Sequence, residues 1–131
     1  MSKMIHSMIR VIDAARSIEF YEKALGLKVA ERVDFESFEL IYLQGNDTSF
    51  ELELTVNAGR AEPYQAGEGY GHLAVVVDDL DAEHARLTNL GLAPDGINEM
   101  AHDGRPFARF FFLSDPDGYR IEVIHRQGRF V

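Results

Sequence analysis

A pattern that occurs twice constrains this chain more than any other feature. His6 lies in a short apolar stretch, followed by Asp13, a helix-like segment and Leu25-Gly26-Leu27; a later strand-like stretch carries Glu53. His72 lies in a second such stretch, followed by Asp78-Asp79, another helix-like segment and Leu90-Gly91-Leu92; Glu122 sits in a later strand-like stretch. The His-to-Glu spacing is 47 residues in the first copy and 50 in the second. His6 and His72 stand 66 positions apart, Gly26 and Gly91 65, and Glu53 and Glu122 69. Offsets this constant imply internal duplication. The plainer reading is that any two α+β halves look alike.

Within the first half, residues 5–12 alternate as a strand, with His6, Met8 and Arg10 on one face and Ile5, Ile9 and Val11 on the other. Asp13 reads as a helix N-cap, Ile18, Tyr21 and Leu25 as an apolar stripe, and Gly26 as the stop. Residues 28–34, 38–44 and 49–56 read as strands, the last with Glu51, Glu53 and Thr55 opposite Phe50, Leu52 and Leu54. The aperiodic stretch 57–69 is richer in Gly and Pro and reads as a linker. In the second half, residues 70–77 read as a strand buried on both sides, and Asp78 or Asp79 caps a helix reaching about Leu90. Residues 107–113 and 119–125 form a hairpin around Asp115-Pro116-Asp117-Gly118. The 131 residues thus read as one domain made of two like modules, about 1–57 and 70–131.

The repeated residues point to a metal. A lone His in a strand is most simply a satisfied core residue, and burying an imidazole costs free energy unless its nitrogens are paired. Glu122, between Ile121 and Val123, needs a cation, and no Lys or Arg is obviously placed to supply it. One divalent ion satisfies His6, His72, Glu122 and a fourth carboxylate together, and imidazole with carboxylate suits Zn²⁺, Ni²⁺, Co²⁺, Mn²⁺ or Fe²⁺. Glu51 and Glu53 compete for the fourth place, because they share a strand face. His84 reads as part of a solvated helix face, His125 has the wrong strand parity, and His102 lies in a polar loop. Arg10 and Asn57 follow His6 and Glu53 by four residues each, about 13 Å of strand, where a charged end of an extended ligand would lie.

Composition narrows the alternatives. A net charge of −9 without a basic patch argues against a nucleic-acid partner. The apolar runs are too short to span a membrane, and the N-terminal stretch does not read as a signal peptide. The chain has no cysteine, so thiolate ligands and cysteine nucleophiles are excluded and a cytoplasmic location is the default.

Over nearly its whole length the chain resembles bacterial glyoxalase I (lactoylglutathione lyase), of the vicinal-oxygen-chelate superfamily. The likeness rests on His6-Ser7-Met8-Ile9-Arg10-Val11, Ser17-Ile18-Glu19-Phe20-Tyr21, Leu25-Gly26-Leu27, Glu53-Leu54-Thr55 with Asn57, Tyr70-Gly71-His72, and Asp115-Pro116-Asp117-Gly118-Tyr119 through Glu122. The Asp-Pro-Asp-Gly turn and the Phe-Tyr helix recur across the superfamily; the His, Glu, His, Glu set with Glu-Leu-Thr-x-Asn is more specific. The resemblance implies an α+β fold of tandem βαβββ modules in a domain-exchanged homodimer. It selects Glu53 over Glu51, because Asn57 follows by four. It implies metal ligands His6, Glu53, His72 and Glu122, with His6 and Glu53 from one chain meeting His72 and Glu122 from the other. Arg10, Asn57, His72 and Arg105 fall among the residues that meet substrate. Arg105 stands in the loop where family members often carry a lysine, which is a departure from the pattern.

The implied reaction is isomerisation of the methylglyoxal–glutathione hemithioacetal to S-lactoylglutathione through an enediolate, with Glu122 the first choice of base and Glu53 second. The implied cofactor is one divalent metal per site, Ni²⁺ or Co²⁺ for the short bacterial form and Zn²⁺ for longer forms, with glutathione as cosubstrate. Rival readings are another metal enzyme of the superfamily, an epimerase or thiol transferase, and a metal-free antibiotic-binding protein. Glu53 argues against an epimerase, where Gln is expected, and the full ligand set argues against a binder.

Overall fold

The computed structural model describes residues 1–131 throughout. The chain forms two compact units, Met1–Gln65 and Ala66–Val131. Unit 1 contains β1 (His6–Arg10), α1 (Ala14–Leu25), β2 (Lys28–Asp34), β3 (Phe38–Gln44) and β4 (Glu51–Asn57). Unit 2 contains β5 (Leu73–Val77), α2 (Leu80–Asn89), β6 (Asn98–His102), β7 (Arg105–Ser114) and β8 (Arg120–His125). Each unit is a βαβββ module, and the fold is α+β. The strand orders match, β1-β4-β3-β2 and β5-β8-β7-β6. The first strand pairs parallel with the last in each sheet, and the remaining pairs are antiparallel. No helix is long and apolar enough to cross a membrane.

Local chemistry sets the element ends. The Asp13 and Asp79 side chains accept from the backbone N–H groups of Arg16 and Ala82, satisfying donors that the first turn leaves unpaired. Gly26 closes α1 with φ of 69°, a left-handed conformation that costs a Cβ-bearing residue energy. The buried stripe of α1 is Ser17, Phe20, Tyr21 and Ala24 rather than Ile18, Tyr21 and Leu25; Ile18 and Leu25 flank it half-buried. The helix therefore turns slightly from the face that large side chains alone suggest, and the small Ser17 and Ala24 let it approach the sheet. Ile9, Val11, Ile41, Leu43, Leu52 and Leu54 line the helix side of the unit 1 core. In unit 2, Leu80 and Leu87 of α2 are buried along with Phe111, Leu113, Ile121 and Val123.

Two expectations change. β5 is not buried on both sides: Ala74 is exposed and the other four residues are half-buried. Its continuous apolar run reflects β propensity as well as burial. The segment containing His102 is not a loop but the end of β6, which pairs with β7 through a tight turn at Asp103-Gly104. Both turn residues have positive φ, 50° and 74°, the two-residue geometry for which Asp-Gly is favoured.

Candidate active site

In unit 1, β1 and β4 run side by side with His6 opposite Glu51 and Met8 opposite Glu53. The His6 ring reaches past its opposite number, and its Nε2 lies 2.9 Å from Glu53 Oε2. In unit 2, Ala74 stands opposite Glu122, so His72, two residues earlier, also reaches two residues along the partner strand. His72 Nε2 lies 2.8 Å from Glu122 Oε2. The two units thus repeat one contact at one register offset. Glu51 makes no such contact with His6 and lies at the half-buried end of β4, whereas Glu53 is only 8% exposed.

The third element of each pair comes from the neighbouring strand. Tyr42 of β3 stands opposite Glu53, and its hydroxyl donates to Glu53 Oε1 at 3.2 Å. Its ring meets that of His6 edge-on at 6.0 Å. Desolvation and then the Glu53 charge push the Tyr42 phenol above its ordinary pKa, so it stays a donor. Phe112 of β7 occupies the matching place opposite Glu122, edge-on to His72 at 5.1 Å, and has no hydroxyl. Sequence reasoning missed Tyr42, since only the strand register shows which β3 residue faces Glu53. A hollow of about 380 Å³ opens beside His6 and Tyr42, with Val33, Phe35 and Leu40 as its apolar wall and Glu51 at its edge.

The remaining predicted residues fall as follows. Arg10 stands opposite Thr55 on the His6 face of β1, and Asn57 ends β4 on the Glu53 face; both are exposed. The Tyr64 hydroxyl donates to Asn57 Oδ1 at 3.2 Å. Arg105 opens β7 opposite His102 and is exposed. It lies seven residues before Phe112, about 23 Å of strand, so unit 2 does not bring it to the His72–Glu122 pair. His84 is half-buried: its Nε2 donates to the Asp95 carbonyl at 2.8 Å and its ring packs edge-on against Phe111.

The donors suit a borderline divalent metal. Each pair offers an imidazole nitrogen and a carboxylate oxygen within 3 Å of each other, the donor types that such an ion takes. Neither unit by itself gathers three or more such donors. Within its own unit each pair is a hydrogen-bonded His–Glu pair.

Comparison with known proteins identifies the family. A family model described as the Glyoxalase/Bleomycin resistance protein/Dioxygenase superfamily matches residues 3–123. The chain is 35% identical over 129 residues to a lactoylglutathione lyase of Neisseria meningitidis serogroup A, covering 95% of this chain and 91% of that protein. It is 32% identical over 131 residues to a lactoylglutathione lyase of Haemophilus influenzae, covering 95% and 93% respectively. Among solved structures, the trypanothione-dependent glyoxalase I of Leishmania major matches with a TM-score of 0.75 at 35% identity, over 95% of this chain and 87% of that one.

Proposed function

Since the chain belongs to the Glyoxalase/Bleomycin resistance protein/Dioxygenase superfamily and, within it, to the glyoxalase I enzymes, we propose that it isomerises the hemithioacetal of methylglyoxal and glutathione to S-lactoylglutathione. The observation that supports this most directly is the repeated contact of His6 with Glu53 and His72 with Glu122 at the same register offset. Two half-sets of ligands are what a homodimer needs if each site takes one pair from each chain. His6, Glu53, His72 and Glu122 would hold one divalent ion, Ni²⁺ or Co²⁺ in preference to Zn²⁺. When bound, that ion supplies Lewis acidity toward the substrate oxygens.

The protein's own groups handle the proton. Glu122 takes the proton from C1 of the hemithioacetal and the electron pair shifts toward C2, where a proton is returned. The C1–H bond breaks and a C2–H bond forms. The hydroxyl proton passes from the C1 oxygen to the C2 oxygen, which leaves a thioester carbonyl at C1. The product is an isomer of the substrate, so no redox cofactor takes part. Glu53 is the second carboxylate available on the opposite half-set. Arg10 and Asn57, on the same sheet face as His6 and Glu53, would hold the γ-glutamyl end of glutathione. The absence of cysteine accords with a cytoplasmic enzyme.

The test uses apo protein reloaded with each metal in turn, with thioester formation followed for glutathione and for other thiols. Thioester formation restored by Ni²⁺ or Co²⁺ with glutathione is the expected result. A protein that takes up no divalent ion and forms no thioester with any thiol would overturn the proposal. Glu122→Gln should lower kcat at least about a hundredfold while metal stays bound. Full turnover by that metal-loaded variant would remove Glu122 as the base.

A further inference from the structure

The two half-sites share a backbone plan but differ in one atom. Tyr42 and Phe112 occupy the same place, each directly opposite the site glutamate on the adjacent antiparallel strand and each edge-on to the site histidine. At Glu53 both carboxylate oxygens are engaged, Oε2 by His6 and Oε1 by the Tyr42 hydroxyl. At Glu122 the Oε2 atom is engaged by His72, and Phe112 offers Oε1 no donor. The side-chain exposures follow the same order, 10% for Glu53 and 17% for Glu122.

From this asymmetry we propose that Tyr42 is a positioning residue whose hydroxyl fixes the Glu53 carboxylate, leaving Glu122 as the glutamate free to move during turnover. The inference rests on the proposed isomerase reading for its catalytic meaning, but its structural content is the Tyr42–Glu53 bond. A carboxylate held through both oxygens is a stable ligand and a poor proton shuttle. A carboxylate held through one oxygen can swing to accept a proton. The duplicated module thus supplies two glutamates of equal chemistry, and a single hydroxyl divides their roles.

The experiment compares full-length wild type, Tyr42→Phe, Phe112→Tyr, Glu53→Ala and the Tyr42→Phe/Glu53→Ala double variant. Thermal melting of each confirms folding; Tyr42→Phe keeps the ring that packs on His6. Ni²⁺ affinity is read by competition with a chromophoric chelator, and kcat and KM are read on the hemithioacetal. Tyr42→Phe should weaken Ni²⁺ binding about tenfold, the size expected for a hydrogen bond to a charged group, and lower kcat with KM little changed. The affinity loss should vanish in the Glu53→Ala background. Phe112→Tyr should lower kcat without weakening Ni²⁺ binding, since it pins the glutamate that must move. Tyr42→Phe within twofold of wild type in both affinity and kcat would overturn the proposal, as would an affinity loss that persists without Glu53. So would a Phe112→Tyr protein with undiminished kcat. A wild type that binds Ni²⁺ but makes no thioester defeats the isomerase reading alone, because the affinity cycle still reports on Tyr42. A wild type that binds no Ni²⁺ overturns both.

Discussion

Replacing Asp115 tests whether the turn between β7 and β8 is held by one buried carboxylate. Asp115 is only 5% exposed, and its Oδ1 accepts from the backbone N–H groups of Asp117 at 2.9 Å and Tyr119 at 2.8 Å. The Asp115 backbone N–H donates to the Tyr119 carbonyl at 2.8 Å, so the carboxylate caps a closed loop seven residues before Glu122. Asp115→Ala removes the Oδ1 acceptor of two N–H groups, at roughly 1–3 kcal/mol each if both stay buried. Asp117 and Tyr119 are half-buried, so water recovers part of this and the net loss is about 2–4 kcal/mol. At about 4 °C per kcal/mol for a chain of this size, the melting temperature should fall by about 8–16 °C. Asp115→Asn keeps an acceptor but loses the charge, and should cost about 1 kcal/mol. Urea unfolding with a paired thermal melt measures both variants. A loss for Asp115→Ala below about 0.5 kcal/mol would refute the reasoning, being the size of an ordinary surface substitution. Equal losses for Ala and Asn would show that charge, not acceptor geometry, braces the turn.

Leu54 of β4 is fully buried beside Glu53, so Leu54→Ala should destabilise the protein by about 2–5 kcal/mol in urea unfolding; a smaller loss would mean the site strand is not anchored by the helix-side core. The acid limb of stability should depend on Arg109, whose fork to Asp81, at 2.8 and 2.9 Å, holds that carboxyl below its ordinary value of 3.8. A depressed folded pKa contributes stability that is present above pH 3.8 and is lost as pH falls through the folded value. Arg109→Gln should therefore lower the urea midpoint at neutral pH and flatten its fall below pH 3.8; parallel curves for variant and wild type would contradict the assignment.

The parts of the site that share a strand were the most legible in the sequence. Alternation along β1 placed His6 and Arg10 opposite the buried Ile9 and Val11, and the structure keeps that division. Alternation along β4 leaves Glu51 and Glu53 equivalent, because both lie on one face; the Glu-Leu-Thr-x-Asn likeness selects Glu53, and it is Glu53 that the His6 ring meets, two residues past its register partner. β6 leaves no periodic mark in the sequence, because its five residues, Asn98–His102, are all exposed and carry no apolar alternation. Its one strong signal is Asp103-Gly104, a hairpin dipeptide set in a polar stretch that otherwise reads as a loop.

Tyr42 shows where reading along a chain stops. In sequence it is one aromatic residue in an apolar strand, and a core role is the sensible default. Its meaning depends on two pairings made by different parts of the chain, β3 with β4 and β1 with β4. Duplication makes the question sharper, because the second copy acts as an internal control. The same pairings in unit 2 place Phe112 where unit 1 has Tyr42, so the packing role is common to both and the hydroxyl is the difference. Packing against a histidine ring needs only the aromatic ring. A hydroxyl present in one copy, aimed at the buried carboxylate, is therefore explained by the carboxylate rather than by the core.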